Sequence, residues 1–264
     1  ELNRIYLQKQ ENIYATMAKA ATLKFKQGET NKLEQVAAEA RLKEFEQKEL
    51  NLETEIQNSY RSLGYWINKS TPFNISSEEK INLDLAINLG SIQNNPGIQL
   101  LEEQVSHGRL LTEVEKQKLK PDLKFGLTNQ SIENVGGQNF IQAGLNIPIF
   151  TKGQKAKIAS AEKQNLANEN QLVQQKSQLI TELDNLRAQQ KKYQQSLQYF
   201  TNVALPQADL LESTALKSYQ QGEIEYVEML QNTQAAWNIR ENYLVEIQNN
   251  NQNIIQIETI LGNE

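Results

Sequence analysis

Apolar residues recur at every seventh position along much of the chain, which is the spacing of coiled-coil helices. The spacing predicts three long helices, at 31–67, 152–221 and 223–261, and Pro206 is expected to kink the second. The repeating apolar positions are Ala38, Phe45, Leu52 and, after a gap at Ser59, Trp66; then Leu172, Leu179, Leu186, Tyr193 and Phe200; then Leu230, Trp237 and Leu244, followed by Ile247, Ile254 and Leu261. Asn250 and Asn251 interrupt the last series and predict a partly polar seam.

Local start and stop signals predict the remaining helices. One spans 2–26, and another spans 96–120, with Asn95 as its N-cap and Pro121 ending it. Between them, Ser76 and Glu79 form a capping box for a short helix that carries Ile81, Leu85 and Leu89. Stacked end to end, the 96–120 and 223–261 helices would reach roughly 95 Å, close to the roughly 100 Å of the 152–221 helix.

One stretch, 122–150, changes to a period of two, which is the pattern of strands with one apolar face. Its turn-rich middle, "SIENVGG", predicts a β-hairpin. Each strand has roughly the 9–11 residues that cross a bilayer in a tilted barrel. The same alternation also fits a soluble hairpin packed on a helix. The predicted apolar face consists of Leu123, Phe125, Leu127, Ile141, Ala143, Leu145 and Ile147.

Two similar stretches, "KFKQGETNKLEQV" at 24–36 and "SYQQGEIEYVEML" at 218–230, predict two similar helix-to-helix turns. Each has an aromatic residue three positions before a glycine, then Gln-Gly-Glu, and a glutamate six positions after the glycine. The glycines are Gly28 and Gly222, and the later glutamates are Glu34 and Glu228. Both glycines fit C-cap positions, and both glutamates fit first-turn positions that the helix dipole favours.

Composition excludes several functional classes. The chain has a net charge of −5 without a basic block, so no nucleic-acid partner is expected. It contains no cysteine, and His107 is its only histidine, so we expect no metal site and no cofactor. Met17 and Met229 are too far apart in sequence for a thioether metal path. No residue set suggests acid–base or nucleophilic catalysis, and we expect no enzyme activity. The first residues read as mid-helix, which suggests a fragment or a processed form.

Three stretches resemble the TolC-like outer-membrane efflux protein family. They are "PDLKFGLTNQ", "QAGLNIPIFTKGQKAKIASAEKQ" and "SYQQGEIEYVEMLQNTQAAW", in this order. The resemblance implies a mainly α fold of long antiparallel coiled-coil-like helices with one β-hairpin, organised as an incomplete tandem repeat. Residues 1–67 would be the end of repeat 1, residues 68–95 a linker with the short helix, and residues 96–264 repeat 2.

The resemblance also implies a function. The intact parent would be a homotrimer in the periplasm and outer membrane, with its hairpins in lipid, and would act as a passive export conduit. Its partners would be a resistance-nodulation-division permease and a periplasmic membrane-fusion adaptor. Gly28, Glu34, Gly222 and Glu228 would form the periplasmic tip, which is both the gate and the adaptor contact. Three positions after the glutamates, Ala37 and Gln231 stand where the family often has a second acid.

A finer resemblance, to the TolC-like domain fused to a CusA/CzcA-type heavy-metal permease, rests on "TLKFKQGETNKLEQVAAEA" and "ALPQADLLESTALKSYQQGEIEYVEMLQ". It implies metal cations as the exported substrate. The alternative function is a structural coiled-coil adaptor or scaffold in the periplasm that binds partners without conducting. A single hairpin disfavours this alternative, because such adaptors usually also carry strand-rich domains.

Overall fold

The chain is mainly helical, with one antiparallel β-hairpin. The computed structural model describes residues 2–69, 73, 92–132 and 136–262. The helices are α1 (Leu2–Gln27), α2 (Lys32–Trp66), α3 (Pro96–Gln117), α4 (Lys152–Tyr199), α5 (Leu205–Gln220) and α6 (Tyr226–Leu261). A short 3-10 helix (Ile92–Asn94) precedes α3, and a π-helix (Phe200–Ala204) separates α4 from α5. The strands are β1 (Asp122–Ile132) and β2 (Gly136–Asn146).

The predicted elements agree with these bounds apart from two points. The single helix predicted at 152–221 is divided into α4 and α5 by the π-helix, which ends just before Pro206. The short helix predicted from Ser76, with Ile81, Leu85 and Leu89, lies outside the described residues.

The chain packs as two compact units, which cut across the predicted repeats. The first contains residues 1–84 and 190–252, and the second contains 85–189 and 253–264. The division into 1–67, 68–95 and 96–264 follows the order of motifs along the chain and stays a prediction, because packing groups residues by contact instead.

In the first unit, α1, α2, α5 and α6 supply two buried clusters. One is built around the aromatic residues Tyr14, Phe45 and Trp237, with ring centroids 4.9 Å apart for Tyr14–Phe45 and 5.1 Å for Phe45–Trp237. The other consists largely of small side chains and lies beside the glycine turns. Trp237 is 1% exposed, as predicted for a seam residue, whereas Trp66 is 79% exposed, so its predicted packing is wrong. Trp66 is the last residue of α2 and is followed by a turn, and no helix among the described residues covers it.

The buried face of α6 contains most of the predicted series. Trp237, Ile247, Ile254 and Leu261 are buried, as predicted, whereas Leu230 and Leu244 are half-buried. Polar residues occupy several of the other buried positions, which an apolar pattern does not include. The buried residues of α6 are Tyr226, Met229, Thr233, Ala236, Trp237, Arg240, Ile247, Asn250, Asn253, Ile254, Ile257, Ile260 and Leu261. Asn250 accepts a hydrogen bond from Gln190 at 2.7 Å, which confirms a polar seam position.

In the second unit, the start of α3 meets the end of α6, as the stacking argument predicted. The Asn95 side-chain oxygen accepts from the backbone N–H of Gly97, and its amide donates to the carbonyl of Ile260 at 3.0 Å. One side chain therefore caps both helix ends. Along α3 the buried residues Ile98, Val105 and Thr112 recur every seven positions.

Candidate functional site

The two glycine turns share one backbone geometry. Gly28 has φ of 75° and Gly222 has φ of 74°, and no atom would lie within 4 Å of an added Cβ at either position. Each glycine N–H bonds the carbonyl three residues back, and the next N–H bonds the carbonyl five residues back, at 2.9–3.1 Å. This pair of bonds is the Schellman motif. The left-handed conformation, rather than lack of space, explains the glycine at both turns.

The helix after each turn begins four residues past the glycine. In α2, Asn31 is the N-cap and its side chain accepts from the N–H of Glu34 at 2.9 Å. Glu34 and Glu228 are both the third residue of their helices, where unpaired backbone N–H groups favour a carboxylate. The first-turn role considered for both glutamates agrees with this placement.

One hydrogen bond joins the two turns. The hydroxyl of Tyr219, three residues before Gly222, donates to the carboxylate of Glu34, six residues after Gly28. The hydroxyl of Thr30 donates to the other carboxylate oxygen. Burial raises the pKa of Tyr219, and the bond to Glu34 raises it further. Tyr219 therefore stays a neutral hydrogen-bond donor.

The residues beneath this bond are small or flexible. Met17, Ala18, Ala21, Ala38, Ala215 and Met229 pack with Tyr219 and Tyr226. The Tyr219 and Tyr226 rings meet at 5.9 Å in an edge-to-face arrangement. Burial raises the pKa of Tyr226 to about 12, and its buried hydroxyl has no hydrogen-bond partner among the described residues. Since alanine and methionine interlock less rigidly than branched side chains, this layer can repack at modest cost.

The two predicted tip glutamates have different surroundings. Glu34 is half-buried and bound on both oxygens, whereas Glu228 is exposed. The structure thus joins Glu34, six residues after Gly28, to Tyr219, three residues before Gly222, while Glu228 is exposed on the next helix. Sequence reasoning missed Tyr219, although it had marked the aromatic three residues before the glycine in both turns.

A buried ion cluster ties α5 to α6 and α1. Arg240 donates to both carboxylate oxygens of Glu212, at 2.9 and 3.0 Å, and to Asp209 at 2.6 Å. Lys9 of α1 lies 2.9 Å from Glu212, and Gln10 donates to it as well. We call these five residues the ion cluster. Its two positive and two negative charges balance.

Hydrogen bonding, not solvent, keeps this cluster charged. The Arg240 and Glu212 side chains are each 3% exposed. Burial acts to raise the pKa of Glu212, but bonds from Arg240 and Lys9 outweigh it and leave that pKa below its ordinary value. Burial acts to lower the pKa of Arg240, and its carboxylate partners raise it overall. The sequence did contain a sign that Glu212 is buried. It lies at helical spacing between two alanines, Ala208 and Ala215, on the apolar face of an amphipathic helix.

The hairpin places the predicted apolar residues on one face. Directly paired residues of antiparallel strands project to the same side, and the pairs are Leu123 with Leu145, Phe125 with Ala143 and Leu127 with Ile141. All six are exposed, and Ile147, just beyond β2, is exposed too. Within the described residues no helix covers this face, so the hairpin packed on a helix is not observed. Farther along the same face, Asn129 donates to Asn139 at 2.6 Å.

The residues considered as possible metal ligands in the sequence have different surroundings. Among the described positions, no group of three or more His, Asp or Glu side chains could hold a metal ion. His107 is exposed on α3 and borders a shallow groove with Leu100, Gln104 and Asn168. Met17 and Met229 lie in the packed layer below the turns. None of the described helices combines the length and apolar character needed to cross a membrane.

The fold is similar to that of solved outer-membrane channels. No protein-family model and no curated protein matches the chain. The outer membrane protein VceC from Vibrio cholerae matches at 14% identity with a TM-score of 0.80, over 99% of this chain and 66% of that one. The outer-membrane channel OprN matches at 14% identity with a TM-score of 0.83, over 100% of this chain and 62% of that one. CusC, a protein that forms a transmembrane channel, matches at 17% identity with a TM-score of 0.76, over 100% of this chain and 66% of that one.

These likenesses establish a TolC-like fold. The chain spans 62% to 66% of the length of these three channels. At identities of 14% to 17% they speak for the fold alone.

Proposed function

We propose that this chain belongs to the outer-membrane component of a tripartite efflux system and works as a passive, gated export conduit. The observation that carries this proposal is the bond between Tyr219 and Glu34. It joins two equivalent turns, from the first and last helix pairs, over a buried layer of alanine, methionine and tyrosine side chains, and the ammonium of Lys24 lies over the Tyr219 ring at 4.5 Å. A permanent structural joint would be expected to bury larger branched side chains at this point.

The gate would work by releasing this bond. When the Tyr219 hydroxyl leaves Glu34, the two helix pairs lose this hydrogen bond at the turns. The buried alanine, methionine and tyrosine side chains, with half-buried Ile13, Leu42 and Ile224 around them, then resist separation. Gly28 and Gly222 hold the turns in shape during this movement, since their Schellman bonds lie within each helix pair. Glu228, exposed beside the second turn, is then free to contact a periplasmic membrane-fusion adaptor.

The hairpin would place the parent protein in the outer membrane. Its exposed apolar face supports contact with lipid, and both strands have the 11 residues that a tilted barrel strand needs. A two-stranded hairpin is not stable by itself, so strands from a homotrimeric parent would complete a barrel. This assembly would place the turns in the periplasm, near a resistance-nodulation-division permease.

Heavy-metal cations, and a permease fused to the same polypeptide, are the finer form of the proposal. They rest on the sequence resemblance. The absence of a metal cluster among the described residues fits a conduit, because a passive path needs no tight site. Growth of a strain lacking the parent gene on copper, silver and zinc salts tests this form, and unchanged tolerance of all three would remove it.

The central test is Tyr219→Phe in the full-length parent, measured as conductance in planar lipid bilayers. The substitution removes one hydroxyl and retains the ring packing, so we expect a severalfold rise in mean conductance. Tyr65→Phe, an exposed tyrosine outside the turns, is the matched control and should leave conductance unchanged. A parent that never conducts would favour the scaffold alternative, and one that conducts equally with both variants would refute the gate.

A further inference from the structure

The segment before α5 interrupts the α-helical hydrogen-bond pattern. The N–H of Leu205 donates to the carbonyl of Phe200, five residues back, which is a π-type bond. Pro206 follows and has no N–H to donate. The α-helical ladder is therefore weakened on both sides of this point. Such a break is where a long helix bends most easily.

The buried face of α5 carries small apolar side chains and two polar anchors. The fully buried residues of α5 are Ala208, Glu212, Ala215 and Tyr219. Two of the four are alanines, which bury little apolar surface compared with leucine or isoleucine. The polar attachments of α5 are at Glu212, in the ion cluster, and at Tyr219, on Glu34, while half-buried Leu216 packs against the buried cluster below the turns.

We propose that the π-helix Phe200–Ala204 is the hinge of the gate and that the ion cluster keeps α5 attached to α6 and α1 near this hinge. The end of α5 at the Gly222 turn swings about this hinge and carries Tyr219 away from Glu34. The bidentate Arg240–Glu212 pair meanwhile keeps the base of α5 on α6, with Lys9 and Gln10 of α1 beside it. This inference rests on the gate proposed above and adds where the movement starts and what it leaves in place.

The level of the ion cluster, marked by Leu210, and the level of the turn, marked by Tyr219, lie at different distances from the hinge. At about 1.5 Å per residue, Leu210 is about 12 Å and Tyr219 about 25 Å from the middle of the π-helix. A rotation of about 10° then moves the cluster level by about 2 Å and the turn by about 4 Å. A movement of this size exceeds the reach of a hydrogen bond at Tyr219, while side chains such as Lys9 can follow the smaller shift.

Two pairs of spin labels read these displacements in the complete chain. The sequence contains no cysteine, so labels attach only where cysteine is introduced. The turn pair is Gln27→Cys with Gln220→Cys, and the cluster pair is Ile5→Cys with Leu210→Cys. All four side chains are exposed. Double electron–electron resonance then gives each distance distribution with and without Tyr219→Phe. We expect the turn distance to shift about twice as far as the cluster distance.

A second set of variants tests the hinge itself. Deleting Asn202, which is exposed, removes the extra residue that a π-turn accommodates and should return the turn distance in the Tyr219→Phe background to its original narrow distribution. Asn202→Ala keeps the residue count and should leave the shifted distribution unchanged. Pro206→Ala restores the missing N–H with every residue in place and should reduce the shift. Circular dichroism and the fluorescence of buried Trp237 confirm that each variant is folded.

Three outcomes overturn the hinge: equal shifts at both levels, no shift at either level, or a turn distance that neither deletion of Asn202 nor Pro206→Ala reduces. The conductance test is read separately. Raised conductance with equal shifts keeps the gate and rejects the hinge. A differential shift in a parent that does not conduct keeps the hinge and rejects the conduit.

Discussion

Removing one partner from the Arg240–Glu212 pair should destabilise the first unit far more than replacing both. Arg240→Met deletes three charge-assisted hydrogen bonds and leaves Glu212 buried with Lys9 and Gln10. Breaking a buried ion pair costs about 3–5 kcal/mol, and the retained Lys9 contact places this variant near 3. Glu212→Leu leaves the Arg240 guanidinium with only Asp209 and should cost a similar amount.

The double variant, Glu212→Leu with Arg240→Met, removes both buried charges. Lys9 and Asp209 are about half and two-thirds exposed, so water can solvate them once the buried pair is gone. Replacing a buried pair with apolar residues is often neutral, and we expect a net loss of about 1 kcal/mol or less. The double-mutant cycle should therefore give a coupling energy of about 5 kcal/mol, the two single losses minus the double loss.

Urea unfolding followed by tryptophan fluorescence measures this cycle. The chain has two tryptophans. Trp66 is exposed, so Trp66→Phe is a mild background that leaves Trp237, in the aromatic cluster of the first unit, as the only reporter. With an m-value of about 3 kcal/mol/M, each single variant should lower the midpoint by about 1 M. If the two single losses add to the double loss within about 0.5 kcal/mol, the ion cluster does not act as a unit.

The same variants give a pH signature. The pKa of Glu212 is lower in the folded state than its ordinary value of 4.5. The unfolded chain therefore binds more protons as acid is added, and the contribution of Glu212 to stability is present above pH 4.5 and lost as the pH falls through the folded pKa. The stability difference between the parent chain and Glu212→Leu should shrink below pH 4.5. A difference that grows with acid would contradict the assignment of Glu212 as an ionised partner.

Two further predictions concern the turn and the hairpin. Gly222→Ala should destabilise the chain by roughly 1–2 kcal/mol, because alanine resists positive φ. Gly153→Ala, at an open site within α4 that is not restricted to positive φ, should stabilise the chain by about 0.5–1 kcal/mol. Thermal melting followed by circular dichroism measures both changes, and the same sign for both would contradict the conformational argument. Leu127→Arg should lower binding of the chain to phospholipid vesicles about tenfold or more, since a cation on a lipid-facing strand costs about 2–4 kcal/mol. Thr128→Arg, on the opposite face, is the control, and equal losses in a flotation assay would refute the assignment of the lipid face.

The sequence alone determined the elements and their ends. Gly28 and Gly222 end helices because of their own φ, Asn95 and Asn31 begin helices by accepting nearby N–H groups, and the alternation around Phe125 and Ile141 defines the hairpin. These signals act within a few residues, so they are legible without knowledge of any partner. The resemblance to TolC-like proteins added the arrangement of these elements, which the structural likeness supports as a fold.

Only the tertiary structure decided which residues meet. The buried face of α6 includes Thr233 and Arg240, which an apolar pattern cannot identify because their burial depends on partners far away in the chain. For the same reason Trp66 is exposed although its spacing fits the series, and Tyr219 rather than a second acid bonds Glu34. Helix ends follow from local hydrogen bonding. Contacts between helices depend on the relative orientation of the two packed helices, and the spacing of residues along one helix does not specify that orientation.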